Sequence, residues 1–218
     1  MKKLISILII FVLISLLMPS FISAQTPSKY ALIVSYDSQG DSRIWASHCA
    51  RLLQKVLKDN GFSQKNIILD TRASYRDLID GFGWLDSVED SGSEVVVGFF
   101  GHGSGTHVAL KDVALNHSTI LQLLSNLESQ KQLVIIDTCG SGGAIIPGID
   151  GVSLNQTGRV VLTSTSSEKE SSVFTGHLTD WCRAVLKYGL LEGNVDSVEE
   201  AGALKGGISD GYEGEFIL

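Results

Sequence analysis

Glu94–Gly105 reads EVVVGFFGHGSG. Val95 to Phe100 shows no polar alternation, so it fits a strand buried on both faces rather than a half-solvated one. The chain then enters a loop in which His102 is the first reactive side chain, flanked by Gly101 and Gly103. Leu133–Gly143, LVIIDTCGSGG, repeats the design: an apolar run, then Asp137, Thr138 and Cys139, then glycines. Glycines beside a nucleophile let the backbone come close to a carbonyl group and aim amide hydrogens at a developing oxyanion. Either stretch alone has an ordinary structural explanation. Two reactive side chains, each leaving a buried strand with one helix between them, point to a shared site.

The same pattern runs outward in both directions. Strands are expected at Tyr30–Tyr36, Lys65–Asp70, Glu94–Phe100, Leu133–Asp137 and Arg159–Thr163, with a closing edge strand at Gly214–Leu218. Helices are expected at Arg43–Asn60, Tyr75–Val88, Ser118–Ser129, Leu178–Tyr188 and Ser197–Leu204. The first carries Trp45, Cys49, Leu52, Leu53, Val56 and Leu57 on one face, and Gly61 ends it. The last begins with a capping box, Ser197 to Glu200. Apolar strands alternating with helices predict an α/β fold with a mostly parallel sheet covered on both faces. Functional residues in such folds lie at the carboxyl ends of strands, where His102 and Cys139 fall.

The chain has 218 residues and a net charge of −7. Lys2 and Lys3 precede a charge-free stretch, Leu4 to Met18, that Pro19 ends, and Ala24 stands at a plausible cleavage point. Residues 1–24 therefore read as a secretory signal peptide or an N-terminal anchor, short for a membrane span. Either form places residues 25–218, one domain, outside the cytoplasm: secreted or held at the membrane by that segment alone. An acidic domain without a basic cluster does not suit nucleic acid. Three cysteines, Cys49, Cys139 and Cys182, leave one unpaired in an exported chain. If Cys139 is the reactive thiol, Cys49 and Cys182 are free to pair with each other or to act as small buried hydrophobes.

A strand ending in His-Gly, followed by a strand ending in Asp-Thr-Cys with Ser-Gly nearby, resembles the caspase-like cysteine peptidases. That superfamily includes caspases, metacaspases, legumains and the glycosylphosphatidylinositol transamidase. ALIVSYDSQG is similar to the opening strand, and VVLTSTSSEKESSV with FTGHLTDWCRAVL to the strand and helix after the cysteine. The pattern as a whole is closest to bacterial and archaeal metacaspase-like proteins. The resemblance implies a three-layer α/β/α sandwich. It also implies catalytic His102 and Cys139, an oxyanion site made by the backbone amides of Gly103 and Cys139, and a polypeptide substrate.

Asp137 matches the metacaspase acidic residue two before the cysteine, which implies cleavage after Arg or Lys. The same Asp-Thr-Cys also resembles the transamidase, so Asn specificity stays open. The second metacaspase acid is missing, because the matching region reads SHCARLL. Ser164, Glu168 and Glu170 match the loop that lines the pocket in relatives. Water or an amine can resolve the thioester, so a transpeptidase is a rival reading, and a catalytically silent binding module is another.

GTHVA resembles the histidine motif of subtilisin-like peptidases, but in that frame the catalytic position falls on Ser104 and no matching serine motif is found later in the chain. His107 is thus expected to be a hairpin residue. His48, His117 and His177 lack partner motifs. No CxxC, HExxH or phosphate-loop spacing calls for zinc or a nucleotide. Some metacaspases use calcium, but no ligand cluster here supports it, so no cofactor is expected. Asn116 and Asn155 head glycosylation sequons. Gly143–Gly158 is the place most suited to self-cleavage.

Overall fold

The computed structural model describes residues 27–38, 45–146, 153–165, 178–204, 207–210 and 218. The expected targeting segment, the acidic pair Glu168 and Glu170, His177 and residues 147–152 of the expected self-cleavage loop lie outside them. In chain order the elements are β1 (Lys29–Tyr36), α1 (Trp45–Asp59), β2 (Ile67–Asp70), α2 (Tyr75–Val88) and β3 (Glu94–Gly101). A hairpin of β4 (His107–Ala109) and β5 (Ala114–Asn116) leads into α3 (His117–Ser125), β6 (Lys131–Asp137) and β7 (Arg159–Thr163). Then come α4 (Cys182–Leu191), which is wound as a π-helix, α5 (Val198–Leu204) and β8 (Gly207–Asp210).

The sheet runs β2-β1-β3-β6-β7-β8. Its neighbours pair parallel except β7 and β8, which pair antiparallel. Alternate residues of each strand point to opposite faces, and each face meets its own helices. Ala31, Ile33, Val96, Leu133, Ile135 and Leu162 pack with α1, α4 and α5. Leu32, Val34, Val97, Phe99, Val134 and Ile136 pack with α2, α3 and the hairpin. Two covered faces explain why the strands carry no polar alternation.

The β-strands and first helices fall where the apolar pattern puts them. The differences have local causes. The edge strand is Gly207–Asp210, whereas the expected Gly214–Leu218 lies outside the described residues except for Leu218. α3 ends at Ser125 rather than Ser129, because the backbone amides of Glu128 and Ser129 turn to the buried Glu89 carboxylate at 2.7 Å each. The Ser197–Glu200 box forms by half. The Ser197 hydroxyl accepts from the Glu200 amide at 3.2 Å, while the Glu200 carboxylate accepts from Asp196 rather than Ser197. A complete box stands instead at Ser74 and Asp77, heading α2.

β1 and β3 are adjacent, yet β1 leads into α1 on one face and β3 into the hairpin and α3 on the other. That divergence opens a crevice at their carboxyl ends. β3 ends there on Gly101, at φ +149°, a conformation that suits glycine, and a Cβ would stand 2.6 Å from the Tyr36 carbonyl oxygen. Gly101→Ala is expected to lower the melting temperature by about 4–10 °C through strain and that contact. Gly83→Ala, on the exposed face of α2 where a Cβ meets nothing within 4 Å, is expected to raise it by a few degrees. Thermal melts of the two variants beside the parent check both signs.

Candidate active site

The site is assembled by strand register. β3 and β6 pair parallel from Glu94↔Lys131 to Phe100↔Asp137. His102 and Cys139 each stand two residues past that last pair, so their loops leave neighbouring strands from the same level. Both are half-buried.

The histidine loop is held by backbone. The His102 carbonyl accepts from the Ala109 amide at 2.8 Å, and the Ser104 amide donates to the His107 carbonyl at 2.9 Å. Gly103 is bridged to Val108, and a Cβ on it would lie 2.7 Å from both the His107 carbonyl oxygen and Thr138 Oγ1. The imidazole of His102 meets the Trp45 indole edge to face, centroids 5.9 Å apart at 85°. Trp45 is placed by Asp37, the residue just after β1. Its carboxylate accepts from the amides of Ala46 and Ser47 at 2.9 and 3.1 Å and from the Ser47 hydroxyl at 2.6 Å. A carboxylate on the first amides of a helix both satisfies them and complements the dipole. The chain of placement therefore runs from Asp37 through the first turn of α1 to Trp45 and the His102 ring. His107 is occupied elsewhere, with its Nδ1 2.8 Å from Ser104 Oγ and its backbone paired with Asn116.

The cysteine loop is held by hydroxyls. Gly140 takes the left-handed conformation, φ +65°, and starts the short turn Ser141–Ala144. Ser141 is fully buried. Its amide donates to Thr165 Oγ1, and its Oγ accepts from the Thr165 amide, both at 3.1 Å. Ser164 and Thr165 hydroxyls donate to the Thr138 carbonyl at 3.3 and 3.2 Å. Ser164, expected in the substrate pocket, is thus drawn into the clamp that joins the cysteine loop to the end of β7. The two loops also touch: a Cβ on Gly143 would run into the Gly105 carbonyl, so only glycine permits this approach.

Asp137 is fully buried, on the side of the sheet covered by α1 and α4. Its Oδ2 accepts from the Thr179 hydroxyl at 2.6 Å and from the Cys182 thiol at 3.0 Å. Cys49 Sγ lies 3.9 Å from Thr179 Oγ1. Burial, the Cys49 thiol and the Asp137 charge all push the Cys182 thiol well above the usual range, against a smaller opposing effect of Thr179. Residue order alone does not reveal Trp45, Ser141, Thr165, Thr179 or Cys182 as parts of this site. Tryptophan at a helix start and serine or threonine near a strand end are too common to stand out. Asp37, one residue beyond a strand and eight before a helix-facing tryptophan, carried a faint signal as a remote cap.

The sequence pattern of the family described as a caspase domain matches residues 28–184. The chain belongs to the caspase domain family. Its structure is similar to the crystal structure of caspase-1 from Spodoptera frugiperda, with a TM-score of 0.61 and 14% identity over 88% of this chain and 90% of that one. At that identity the likeness is one of fold. No curated protein matches in sequence. The caspase fold accounts for the sheet covered on both faces, and membership of the family makes this chain a caspase-family cysteine peptidase in general terms.

The geometry sets two expected outcomes. Ser141→Ala strips the acceptor from the part-buried Thr165 amide, so it is expected to cost about 1–2 kcal/mol, read from urea or guanidinium midpoints. The Cys182 thiol stays protonated in the fold while an unfolded thiol titrates near about 8.5. Its contribution is therefore fully present below that pH and is lost as pH rises toward the raised folded value. Under reducing conditions, the parent's denaturation midpoint should fall above about pH 8.5 more steeply than that of Cys182→Ser.

Proposed function

We propose that this chain is an exported cysteine endopeptidase using a His102–Cys139 dyad, with a preference for Arg or Lys before the scissile bond. The observation that supports the reading is the β3–β6 register, whose last pair, Phe100↔Asp137, stands two residues before both His102 and Cys139. Membership of the caspase domain family supports a polypeptide as the substrate.

The chemistry uses side chains and water. His102 takes the thiol proton of Cys139 as the sulfur attacks the scissile carbonyl carbon, and the carbonyl oxygen takes up charge toward the backbone amides of Gly103 and Cys139. The carbon–nitrogen bond breaks as His102 protonates the departing amine, leaving a thioester. Water attacks that thioester with His102 taking its proton, and the acid leaves with the thiol restored. The Trp45 ring limits where the imidazole can turn, and a fixed ring orientation is what a proton donor needs to serve both steps.

Asp137 supports the Arg or Lys preference on electrostatic grounds. A fully buried carboxylate whose Thr179 and Cys182 donors are neutral gains most from a cationic side chain brought against it. Export is carried by the Lys2–Ala24 pattern and places the peptidase outside the cytoplasm, with membrane contact only through that segment.

Cys139→Ala and His102→Ala are each expected to lower peptide cleavage at least about a thousandfold without lowering the melting temperature. Fluorogenic peptides with Arg, Lys, Asn or Asp before the reporter test the pocket. Asp137→Asn is expected to erase the advantage of Arg and Lys. Cleavage by Cys139→Ala at the parent rate would end the peptidase reading, and equal parent rates on Asn and Arg would end the role given to Asp137.

A further inference from the structure

Cys49 and Cys182 are distant in sequence and lie on different helices, α1 and α4, that pack against each other. The fold brings their sulfur atoms and a carboxylate oxygen of Asp137 within 4.8 Å of one another. Both thiols are fully buried. Cys182 donates to Asp137 at 3.0 Å, and Cys49 makes a long contact, 3.9 Å, to Thr179. Cys139, the thiol given to catalysis, is a different sulfur in a half-buried loop. The remaining two are therefore gathered as a pair within reach of a side-chain rotation.

We propose that Cys49 and Cys182 are an oxidation site that closes to a disulfide joining α1 to α4 while the chain folds, with a small disulfide such as oxidised glutathione as the oxidant. One cysteine thiolate attacks a glutathione sulfur and releases one glutathione as thiol. The other cysteine then attacks the mixed disulfide and releases the second. Two sulfur–hydrogen bonds and the oxidant's sulfur–sulfur bond are broken. One protein sulfur–sulfur bond and two glutathione sulfur–hydrogen bonds are made.

Burial sets the timing. Exchange needs a thiolate that the oxidant can reach, and in the closed fold neither sulfur is accessible. The bond forms before the core closes, and a reduced chain that has already folded stays reduced. Closure removes the Cys182 hydrogen bond from Asp137 and fixes the start of α4 to α1. The same three donor groups would suit a soft divalent metal. The Asp137 oxygen already accepts from Thr179 at 2.6 Å, and an ion would have to displace that bond, which favours sulfur–sulfur bonding over an ion. Neither sulfur takes part in the proposed peptidase chemistry, so the disulfide stands or falls apart from it.

The test uses the full chain carrying Cys139→Ala, which removes the competing thiol. The protein is refolded from denaturant in a glutathione redox buffer, with chelator or with equimolar zinc, then denatured and alkylated. The expected product under both conditions is two hydrogens lighter than the reduced chain, takes no alkyl label, and yields a linked peptide containing Cys49 and Cys182. It should melt about 10 °C above the same chain with Cys49→Ser and Cys182→Ser. Labelling of both cysteines after oxidative refolding, or a separate glutathione on each, would overturn the proposal. So would protection by zinc that chelator reverses, with no loss of hydrogens. Equally fast oxidation of a sample folded beforehand in reductant would overturn the timing.

Discussion

The parallel pairing of β3 with β6 is the constraint on which the rest depends. Each strand is apolar on both sides because helices cover both faces, so neither can slip register without moving its side chains to the wrong layer. The pairing stops at Phe100↔Asp137. The residues just past that pair are then fixed in height relative to each other, and the loops that carry His102 and Cys139 start from one level. The proposed site is in this sense a consequence of where a hydrophobic ladder ends.

Beyond the ladder the two loops are stiffened differently. The histidine loop folds back as a hairpin, with His102, Gly103 and Ser104 tied to Val108, Ala109 and His107 through the backbone. Among the described residues the cysteine loop has no such partner strand. It is clamped by the Ser141, Ser164 and Thr165 hydroxyls around the Thr138 carbonyl. The loops approach each other at Gly105 and Gly143, where a side chain would not fit. Glycines near a nucleophile therefore have two uses here, one toward a substrate and one between loops. A third support comes from the opposite side of the crevice, where Asp37 sets α1 and α1 sets Trp45 against His102.

The sheet was readable from residue order, and with it the strand ends from which the His102 and Cys139 loops depart, because long apolar runs and punctuating glycines are local signals. His107 could be set aside for the same reason, since only His102 directly leaves a buried strand. The residues that remained hidden depend on non-local geometry. Ser164 matched a pocket loop in relatives, yet in this chain its hydroxyl closes the cysteine loop. Cys49 and Cys182 read as two separate helical cysteines, and only the packing of α1 on α4 around Asp137 makes them a pair. The end of α3 was overestimated because Glu89, nearly forty residues earlier, takes the amides that would have continued it. Helical periodicity does not report such competition.

The central claim is that register makes Cys139 the nucleophile and His102 its proton partner. The most direct measurement is covalent trapping of the full chain with a peptidyl chloromethyl ketone ending in arginine, then intact mass and peptide mapping. The predicted result is one adduct, on Cys139, formed at a rate that drops sharply in His102→Ala and is unchanged in His107→Ala. An adduct on Cys49 or Cys182, or trapping that depends on His107 and ignores His102, would contradict it.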